Sequence, residues 1–514
     1  MDKNANRHQA VPDSEQPAYA AMGAQAARGF AWMLGQTFGS KIFSFFTQIV
    51  LARILSRSDF GLVALAYTAV AFAGVIRQTG IQQILVQRHA NFRRWVNPAF
   101  WFEFSVGIAT ALLLAVASPV AAVVFHSNAL TGLILVIAAA APLSPWFVVP
   151  TARLTIDMRF KAIAAVNITY NFIAMAMSIF LAWRGFGAYS FVIPLPIAGV
   201  IRAFWLWRLA KPHINPNPQF RRWKFLLGDS GLLLATGFFN SVMYQFGSLV
   251  LGLTYPKAVV GQFFLAFNLS TQMSQLLSQN VLTVLLPAFS WMQNQTRRHA
   301  AAFLYASRML AFISIPLCLV MAVIAKPLIL LLYGAKWSPA VPVLQALALA
   351  AVAYVPSSPA ITAMQSQGRF RELFRWTMLQ TVAYTVAICI GASAAGATGV
   401  ALAILAYSIA TSPVMIRIAL HEGYHWREII RVYFGPVATG TIAFAPLSGA
   451  FILWPELLHR YTLWLGLGIV TPALAFPFAA RIFCPSEFRG VWGQVATLAY
   501  RGRLGSLSRR PPQK

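Results

Sequence analysis

Three basic residues, Lys41, Arg77 and Arg202, lie within or at the edges of long apolar runs. A charged side chain at bilayer depth is costly and usually marks a binding site or a transport pathway. Together the three cations suit a pyrophosphate group, which accepts charge-assisted hydrogen bonds. We therefore take them as candidate substrate-binding residues. Arg77 and Arg202 lie near the ends of their runs, so ordinary anchoring at the membrane interface stays open for both.

Two acidic residues are candidate partners for these cations. Glu103 lies in the run Phe-Trp-Phe-Glu-Phe, and Asp229 opens another apolar run. Each could form an ion pair with a buried cation or carry a coupling proton. Asp229 is equally suited to cap a helix N-terminus, because it directly precedes an apolar stretch.

A series of amide side chains follows in the middle of the sequence. Asn268, Gln272, Gln275 and Gln279 are spaced by 4, 3 and 4 residues, which places them on one face of a helix. Such a face is unfavourable in lipid, so it should line a helix bundle or a wet cavity. Gln272, Gln275 and Gln279 are candidate sugar-binding residues, and helix–helix hydrogen bonding is the alternative.

Signatures of enzymes are absent from the sequence. There is no P-loop, nucleophile elbow or paired set of carboxylates. The three cysteines, Cys318, Cys389 and Cys484, have neither disulfide nor metal-ligand spacing. We expect no catalytic residue, no metal and no cofactor.

The composition requires a membrane protein. Of 514 residues, 58% are hydrophobic and 10% are charged, whereas soluble proteins average about 25% charged residues. So few charges could not cover such an apolar interior in water. A soluble enzyme, a disordered chain and a disulfide scaffold are excluded.

About fourteen apolar runs are long enough to span a bilayer, which needs about 20 residues per helix. The runs centre near Ser44, Val70, Ile108, Val136, Ala174, Pro196, Asn240, Ser274, Leu317, Ala348, Ala383, Leu405, Ile442 and Ile469. The predicted fold is an all-α polytopic membrane protein.

The distribution of basic residues predicts the topology. With the N-terminus in the cytoplasm, inside segments carry 30 of the 40 lysines and arginines and outside loops carry 7. This asymmetry favours an even number of spans with both termini inside. The excess of basic residues, a formal net charge of +28, therefore reflects topology and not nucleic-acid binding.

A weak internal repeat suggests two related halves. Shifting the sequence by 200 residues places Leu51 on Leu251, Gly61 on Gly261 and Leu65 on Leu265. A proline-rich basic segment lies between the halves. The predicted boundaries are a cytoplasmic tail (1–27), a first lobe of six helices (28–207), a linker (208–228), a second lobe of six helices (229–420), two extra helices (421–483) and a basic cytoplasmic tail (484–514).

Several motifs resemble the bacterial polysaccharide exporters related to Wzx-type flippases, within the multidrug/oligosaccharidyl-lipid/polysaccharide exporter superfamily. They are LARILS at 51–56, DFGLVALA at 59–66, GIQQILVQR at 80–88, DMRFK at 157–161 and GAKWSPAVPVL at 334–344. The resemblance spans about residues 28–480 in consistent order. It departs from the family at Arg57 and in the basic tail.

The resemblance implies two six-helix lobes around a central cavity, which rock between inward- and outward-open states. The implied cargo is a glycan on undecaprenyl pyrophosphate, moved from the cytoplasmic to the outer leaflet of the inner membrane for exopolysaccharide, O-antigen or capsule biosynthesis. Glycan polymerase and chain-length machinery would be its partners, and the two extra helices would offer a groove to the prenyl tail.

Two alternatives remain open at this point. An ion-coupled multidrug or cation antiporter of the same fold would use Glu103 or Asp229 for coupling. A membrane enzyme such as a glycan polymerase would need a large outside loop, and the outside loops here are short.

Overall fold

The computed structural model describes residues 16–77, 80–88, 91–223, 231–420, 426–444, 461–485 and 487–489. Within these ranges the chain is helical and contains no β-strand. Among the described residues, seven helices are long and apolar enough to cross a membrane, or eight if a pair bent by 41° counts as one span. The predicted all-helical membrane class is confirmed, and the number of fourteen spans stays a prediction.

The chain divides into two compact units, Met1–Ser241 and Val242–Lys514. The helices of the first unit are α1 (Gln16–Ile54), α2 (Arg57–Gly74), α3 (Ile81–Gln87), α4 (Phe92–Val124), α5 (Ala129–Ala140), α6 (Pro145–Ile156), α7 (Phe160–Trp183), α8 (Tyr189–Val192) and α9 (Pro194–Ala210). Helix α10 (Gly231–Thr254) begins in the first unit and ends in the second.

The second unit continues with α11 (Lys257–Trp291), α12 (Thr296–Leu328), α13 (Ala340–Tyr354), α14 (Pro359–Ser366), α15 (Phe370–Ala419), α16 (Trp426–Ala443) and α17 (Tyr461–Phe483). Helix α15 is two helices joined at a sharp kink, where Ala395 and Gly396 leave helical geometry and Gly396 has φ +56°. The two arms touch backbone to backbone at Gly391 and Gly399, where no side chain would fit.

The helix ends follow the 200-residue repeat. Helix α1 ends at Ile54 and α10 at Thr254, while α2 begins at Arg57 and α11 at Lys257. Buried positions recur with the same offset, since Leu65 and Leu265 are both fully enclosed. The repeated sequence therefore encodes a repeated helix–turn–helix, once in each unit.

Glycines bring α16 and α17 close to their neighbours. Gly440 lies against Leu319 of α12, and Gly468 of α17 lies against Ile324 of the same helix. Gly435 of α16 meets Cys484, just beyond the end of α17. These small residues permit close helix approach, so α12, α16 and α17 form a tightly packed group.

The proline-rich segment after α9 is bound to α4. The Asn97 side chain accepts a hydrogen bond from the backbone N–H of Asn215 (3.0 Å) and donates one to the carbonyl of Asn217. The Trp101 indole donates to the Asn215 carbonyl (2.8 Å), and Trp223 packs edge-on against Phe102 (5.4 Å between ring centroids). This part of the predicted linker is thus attached to the first unit.

Candidate functional site

Arg202 lies midway along α9, between two aromatic rings of the first unit. Its guanidinium carbon is 5.1 Å from the ring centroid of Phe147 on α6 and 5.3 Å from that of Tyr170 on α7. Aromatic faces attract cations, and a planar guanidinium stacks well on them. Helices α6, α7 and α9 together hold this charge in a fixed position.

The guanidinium of Arg202 lacks polar partners among the residues that the structure describes. Its Nε atom is buried without a hydrogen-bond acceptor. The ion pairs of the described ranges involve Arg153, Arg308, Arg369 and Arg431, and none involves Arg202. The residue as a whole is half-buried, and a cation that lacks an anion is unfavourable at membrane depth. An anionic ligand would compensate this charge.

A cavity of about 320 Å³ adjoins Arg202 in the groove between α7 and α9. Its volume is at the lower end of the roughly 300–1,000 Å³ typical of small-molecule sites. The residues that line it are mostly apolar: Ala162, Ala165, Val166, Thr169, Tyr170, Ile201, Arg202, Trp205 and Leu209. Ala165 and Trp205 are exposed, so the groove is open at these two residues.

Lys41 lies on α1 beside a polar contact between α1 and α7. Asn167 donates to the Gln36 side chain (3.1 Å), and Asn171 donates to the Ser40 hydroxyl (2.9 Å). Lys41 follows Ser40 directly, so it lies about 100° further round the helix, on a different face. Lys41 is half-buried there.

Arg77 ends a short 3₁₀ turn, Val75–Arg77, that follows α2. Its side chain is exposed. The three predicted cations thus have different surroundings: Lys41 is half-buried, Arg77 is open and Arg202 is enclosed by aromatic rings. Their shared role in binding stays a prediction.

Glu103 is buried within α4 and is 4% exposed. Its carboxylate accepts a hydrogen bond from the hydroxyl of Ser144 (3.0 Å), which lies just before α6. One turn further along α4, Gly107 packs closely on the backbone of Ala141 and Pro142. Glu103 therefore lies in a tightly packed contact. The other predicted acid, Asp229, lies outside the described residues.

The predicted amide stripe lies on α11. Gln272 and Gln275 are half-buried, and the side chain of Gln279 lies outside the described part of the structure. The same helix carries three buried serines, Ser270, Ser274 and Ser278, of which Ser270 donates to the carbonyl of Leu347 on α13 (3.2 Å). At 100° per residue, the amide stripe is centred about 130° round α11 from these serines. It therefore faces away from the α11–α13 contact.

The residues that surround Arg202 and those that join α1 to α7 were not predicted from the sequence. Phe147 and Tyr170 carried no signal, because aromatic residues are frequent throughout this chain. Asn167 and Asn171 did carry one, since their spacing of four matches that of Gln36 and Ser40 on α1. That matched spacing predicts a polar helix–helix contact.

Comparison with solved structures defines the fold class. The chain is similar to a structure described as lipid II flippase MurJ in an inward closed conformation, with a TM-score of 0.68 and 15% identity over 88% of this chain and 98% of that one. It is also similar to an inward-facing multidrug resistance transporter of the MATE family in the MOP superfamily, with a TM-score of 0.58 and 13% identity over 74% and 93% of the two chains. The protein is a multi-pass membrane protein with this fold.

Sequence comparison then identifies the family. Residues 50–342 match the family described as polysaccharide biosynthesis protein, and the chain belongs to it. The succinoglycan biosynthesis transport protein ExoT of Rhizobium meliloti is 25% identical over 71% of this chain and 74% of its own length. The lipopolysaccharide biosynthesis protein WzxC of Escherichia coli is 23% identical over 73% and 77%. The predicted relation to bacterial polysaccharide exporters is confirmed.

Proposed function

We propose that this protein is a flippase that moves a polyprenyl-pyrophosphate-linked glycan from the cytoplasmic to the outer leaflet of the bacterial inner membrane. The single observation that carries the proposal is the enclosed guanidinium of Arg202, which lacks an acidic partner among the described residues. A pyrophosphate supplies the missing negative charge, and guanidinium groups bind phosphate oxygens in a bidentate manner.

The family supports a glycan as the cargo. The relatives are named for succinoglycan transport and for lipopolysaccharide biosynthesis, and the structural neighbour MurJ is named a lipid II flippase. Pyrophosphate and sugar hydroxyls lose their water together on entering hydrocarbon, which is prohibitive without replacement hydrogen bonds. The Gln272 and Gln275 amides on α11 would contact sugar hydroxyls, with Gln279 continuing the same row. Lys41 and Arg77 would join Arg202 in holding the head group.

The mechanism is alternating access between two lobes of six helices around a central cavity, followed by two extra helices, with fourteen spans and both termini in the cytoplasm. The glycan would serve exopolysaccharide, O-antigen or capsule synthesis. Such a carrier needs no catalytic residue. Glycan polymerase and chain-length machinery would receive the product on the outer side.

An ion-coupled multidrug antiporter is the second candidate. The observations in its favour are the buried carboxylate of Glu103 and the fold shared with a MATE transporter. Glu103 accepts a hydrogen bond from Ser144 within a packed contact, which favours a structural role for this acid and makes the antiporter the weaker proposal.

Deletion of the gene in its host tests the function. A flippase predicts loss of a surface glycan and accumulation of its lipid-linked precursor, both restored by the wild-type gene. Arg202→Ala should restore less than about one tenth of the glycan, because a hydrogen bond to a charged group contributes about 1.5–3 kcal/mol, or roughly tenfold to a hundredfold.

Arg184→Ala is the matched control, because Arg184 also stacks on a ring (Phe180, 5.2 Å) but is exposed. It should complement fully. An unchanged surface glycan combined with lost dye resistance in the deletion strain would refute the flippase and favour the antiporter.

A further inference from the structure

Four tyrosines of the second unit lie near the middle of their helices, and we call them the tyrosine cluster. Tyr244 is on α10, Tyr384 and Tyr407 are on the two arms of α15, and Tyr354 is in the middle of the span Ala340–Ser366. The Tyr384 ring packs edge-on against the Tyr407 ring, with 5.1 Å between the centroids. Tyr384 also interacts electrostatically with Tyr354 and Tyr244. The four residues therefore form one group in the second unit.

The two exposed members of the tyrosine cluster are held by their hydroxyl groups. Tyr244 is 42% exposed, and its hydroxyl is hydrogen-bonded to Thr271 on α11. Tyr354 is 36% exposed, and its hydroxyl is hydrogen-bonded to Ser274 on the same helix. Because each hydroxyl is bonded to α11, the accessible part of both residues is the ring. A ring fixed in this way offers a large contact area at a small cost in conformational entropy.

The exposed ring of Tyr244 lies beside the amide stripe of α11. Gln275 follows Thr271 by four residues, so these two side chains share a face of the helix. Tyr244 also packs edge-on against Phe267, one turn before Thr271, with 5.0 Å between the ring centroids. Amide groups are unfavourable in lipid, and lipid-facing tyrosines are usually found at the membrane interface. This side of the second unit is therefore suited to a polar ligand.

The tyrosine cluster is uncharged. The groups that act electrostatically on its members are other tyrosines and Cys318, and no ionised side chain of the described ranges is among them. The hydroxyl of Tyr407 is buried and has no well-formed hydrogen bond to the residues that the structure describes. Aromatic rings next to hydroxyl and amide groups suit a ligand that is flat, apolar on its faces and hydroxylated at its edges.

We propose that the tyrosine cluster binds an uncharged sugar of the glycan, next to the amides of Gln272 and Gln275. The C–H groups of the sugar pack on the rings of Tyr244 and Tyr354, and its hydroxyls form hydrogen bonds with the amides. The inference rests on the proposed function and adds a specificity to it. A sugar with a carboxylate would lose hydration in a site that supplies no cation, so it is selected against.

Ligand binding to the purified full chain in nanodiscs of zwitterionic lipid tests the inference, with empty nanodiscs as the partition background. Four synthetic probes share farnesyl pyrophosphate and differ in the group esterified to the terminal phosphate, which is methyl, glucosyl, galactosyl or glucuronosyl. We expect at least one of the two uncharged hexosyl probes to bind about tenfold more tightly than the methyl probe. The glucuronosyl probe should show no such gain.

Tyr244→Ala and Tyr354→Ala remove rings at exposed positions, so both variants should fold. Each should reduce the gain of the hexosyl probe by about threefold or more and leave the affinity for the methyl probe unchanged. Tyr244→Phe keeps the ring and should retain most of the gain. Leu253→Ala is the matched control, because Leu253 is exposed and lies nine residues from Tyr244, on the opposite face of α10.

The contrary outcomes separate this inference from the proposed function. If neither hexosyl probe bound more tightly than the methyl probe, or if both alanine variants kept the full gain, the sugar site would be overturned and the proposed function would stand. An equal loss for all four probes in the alanine variants would indicate a structural role and would also overturn the site. Equal affinities for the glucuronosyl and hexosyl probes would refute the preference for an uncharged sugar. Binding of none of the four probes to the wild type would contradict the proposed function itself.

Discussion

Arg159 in the first unit and Arg369 in the second make the same contact 210 residues apart. Arg159 donates to the carbonyl of Leu209 near the end of α9 (3.0 Å). Arg369 donates to the carbonyls of Ile418 (3.0 Å) and Ala419 (3.5 Å) at the end of α15. Each arginine follows a residue with positive φ, Met158 at +52° or Gly368 at +70°. The offset between the units is 210 residues here, ten more than at the ends of α1 and α10, and both units keep a backbone turn and a cap for helix carbonyls.

The surroundings of the two arginines differ. Arg369 also pairs with Glu372 (2.5 Å) and donates to the Gln367 side chain (3.4 Å). The amide of Gln367 is 3.0 Å from Nδ1 of the buried His299, whose Nε2 is 3.0 Å from the hydroxyl of Ser366. Because the Gln367 oxygen accepts from Arg369, its amide nitrogen donates to His299, which leaves the His299 proton on Nε2.

The two units differ in charge at a pair of positions that are also 210 residues apart. Arg202 lies seven residues before Leu209, and Ser412 lies seven residues before Ala419 and is 3% exposed. The second unit thus places a small buried residue where the first places a guanidinium. Both units therefore keep the same helix ends, whereas the half-buried guanidinium beside two aromatic rings occurs in the first unit at this position and not in the second. In the second unit, the polar groups at the equivalent turn hydrogen-bond to one another and stabilise the fold.

Exchanging the residues at the two equivalent positions should give the largest effect. Ser412→Arg places an unpaired charge in a buried site, which costs more than about 4 kcal/mol, so the variant should not accumulate in membranes. Arg202→Ser should accumulate normally, since it removes an uncompensated charge. Immunoblots of membrane fractions measure both. If both variants accumulated equally, the two equivalent positions would tolerate the same residue types, and the described difference between the units would be refuted.

Removing each capping arginine should give the next largest effect. Arg369→Ala loses hydrogen bonds to two carbonyls and to Glu372, and we expect an unfolding free energy lower by about 3 kcal/mol and a Tm lower by roughly 6–12 °C. Arg159→Ala loses a single carbonyl contact and should lower the Tm by about half as much. Thermal unfolding in detergent measures the difference, with Arg371→Ala as an exposed control. A larger decrease in Tm for Arg159→Ala than for Arg369→Ala would contradict the expected order of the two variants.

The smallest change in stability is expected from substitutions at the N-termini of α2 and α11. Ser56 and Asp59 form a capping box before α2, in which the Asp59 side chain accepts from the Ser56 backbone (2.9 Å). Pro256 occupies the equivalent position before α11 with a similar extended backbone but no side-chain cap. Pro256→Ser combined with Val259→Asp should therefore add about 1 kcal/mol, or roughly 2–4 °C in Tm. Asp59→Ala should remove a similar amount, and no gain in the double variant would mean that the turns are not interchangeable.

The lengths of the apolar runs predicted the helices well, because apolar runs of this length have few alternative structures in lipid. All fourteen predicted centres, from Ser44 to Ile469, lie inside helices of the structure. The kink that divides α15 also agrees with the sequence, since separate apolar runs are centred at Ala383 and Leu405, on either side of Gly396.

The candidate site was predicted only in part. The residue types of Arg202 and Glu103 marked them from sequence, because charges in apolar runs are rare. Their partners could not be predicted: Phe147 and Ser144 lie 55 and 41 residues away along the chain, and nothing local specifies which aromatic ring or hydroxyl will pack there. The amide stripe on α11 was predictable because helical spacing alone defines a face.

The contact between Asn97 and the proline-rich segment bears on how this chain can be manipulated. The composition of residues 211–223 is that of a linker, where a protease site or a fluorescent tag is commonly inserted. The Asn97 amide, however, holds the backbone of Asn215 and Asn217, and Trp223 is packed on Phe102. An insertion there would displace these contacts, so a split or tagged version of the protein should be joined elsewhere.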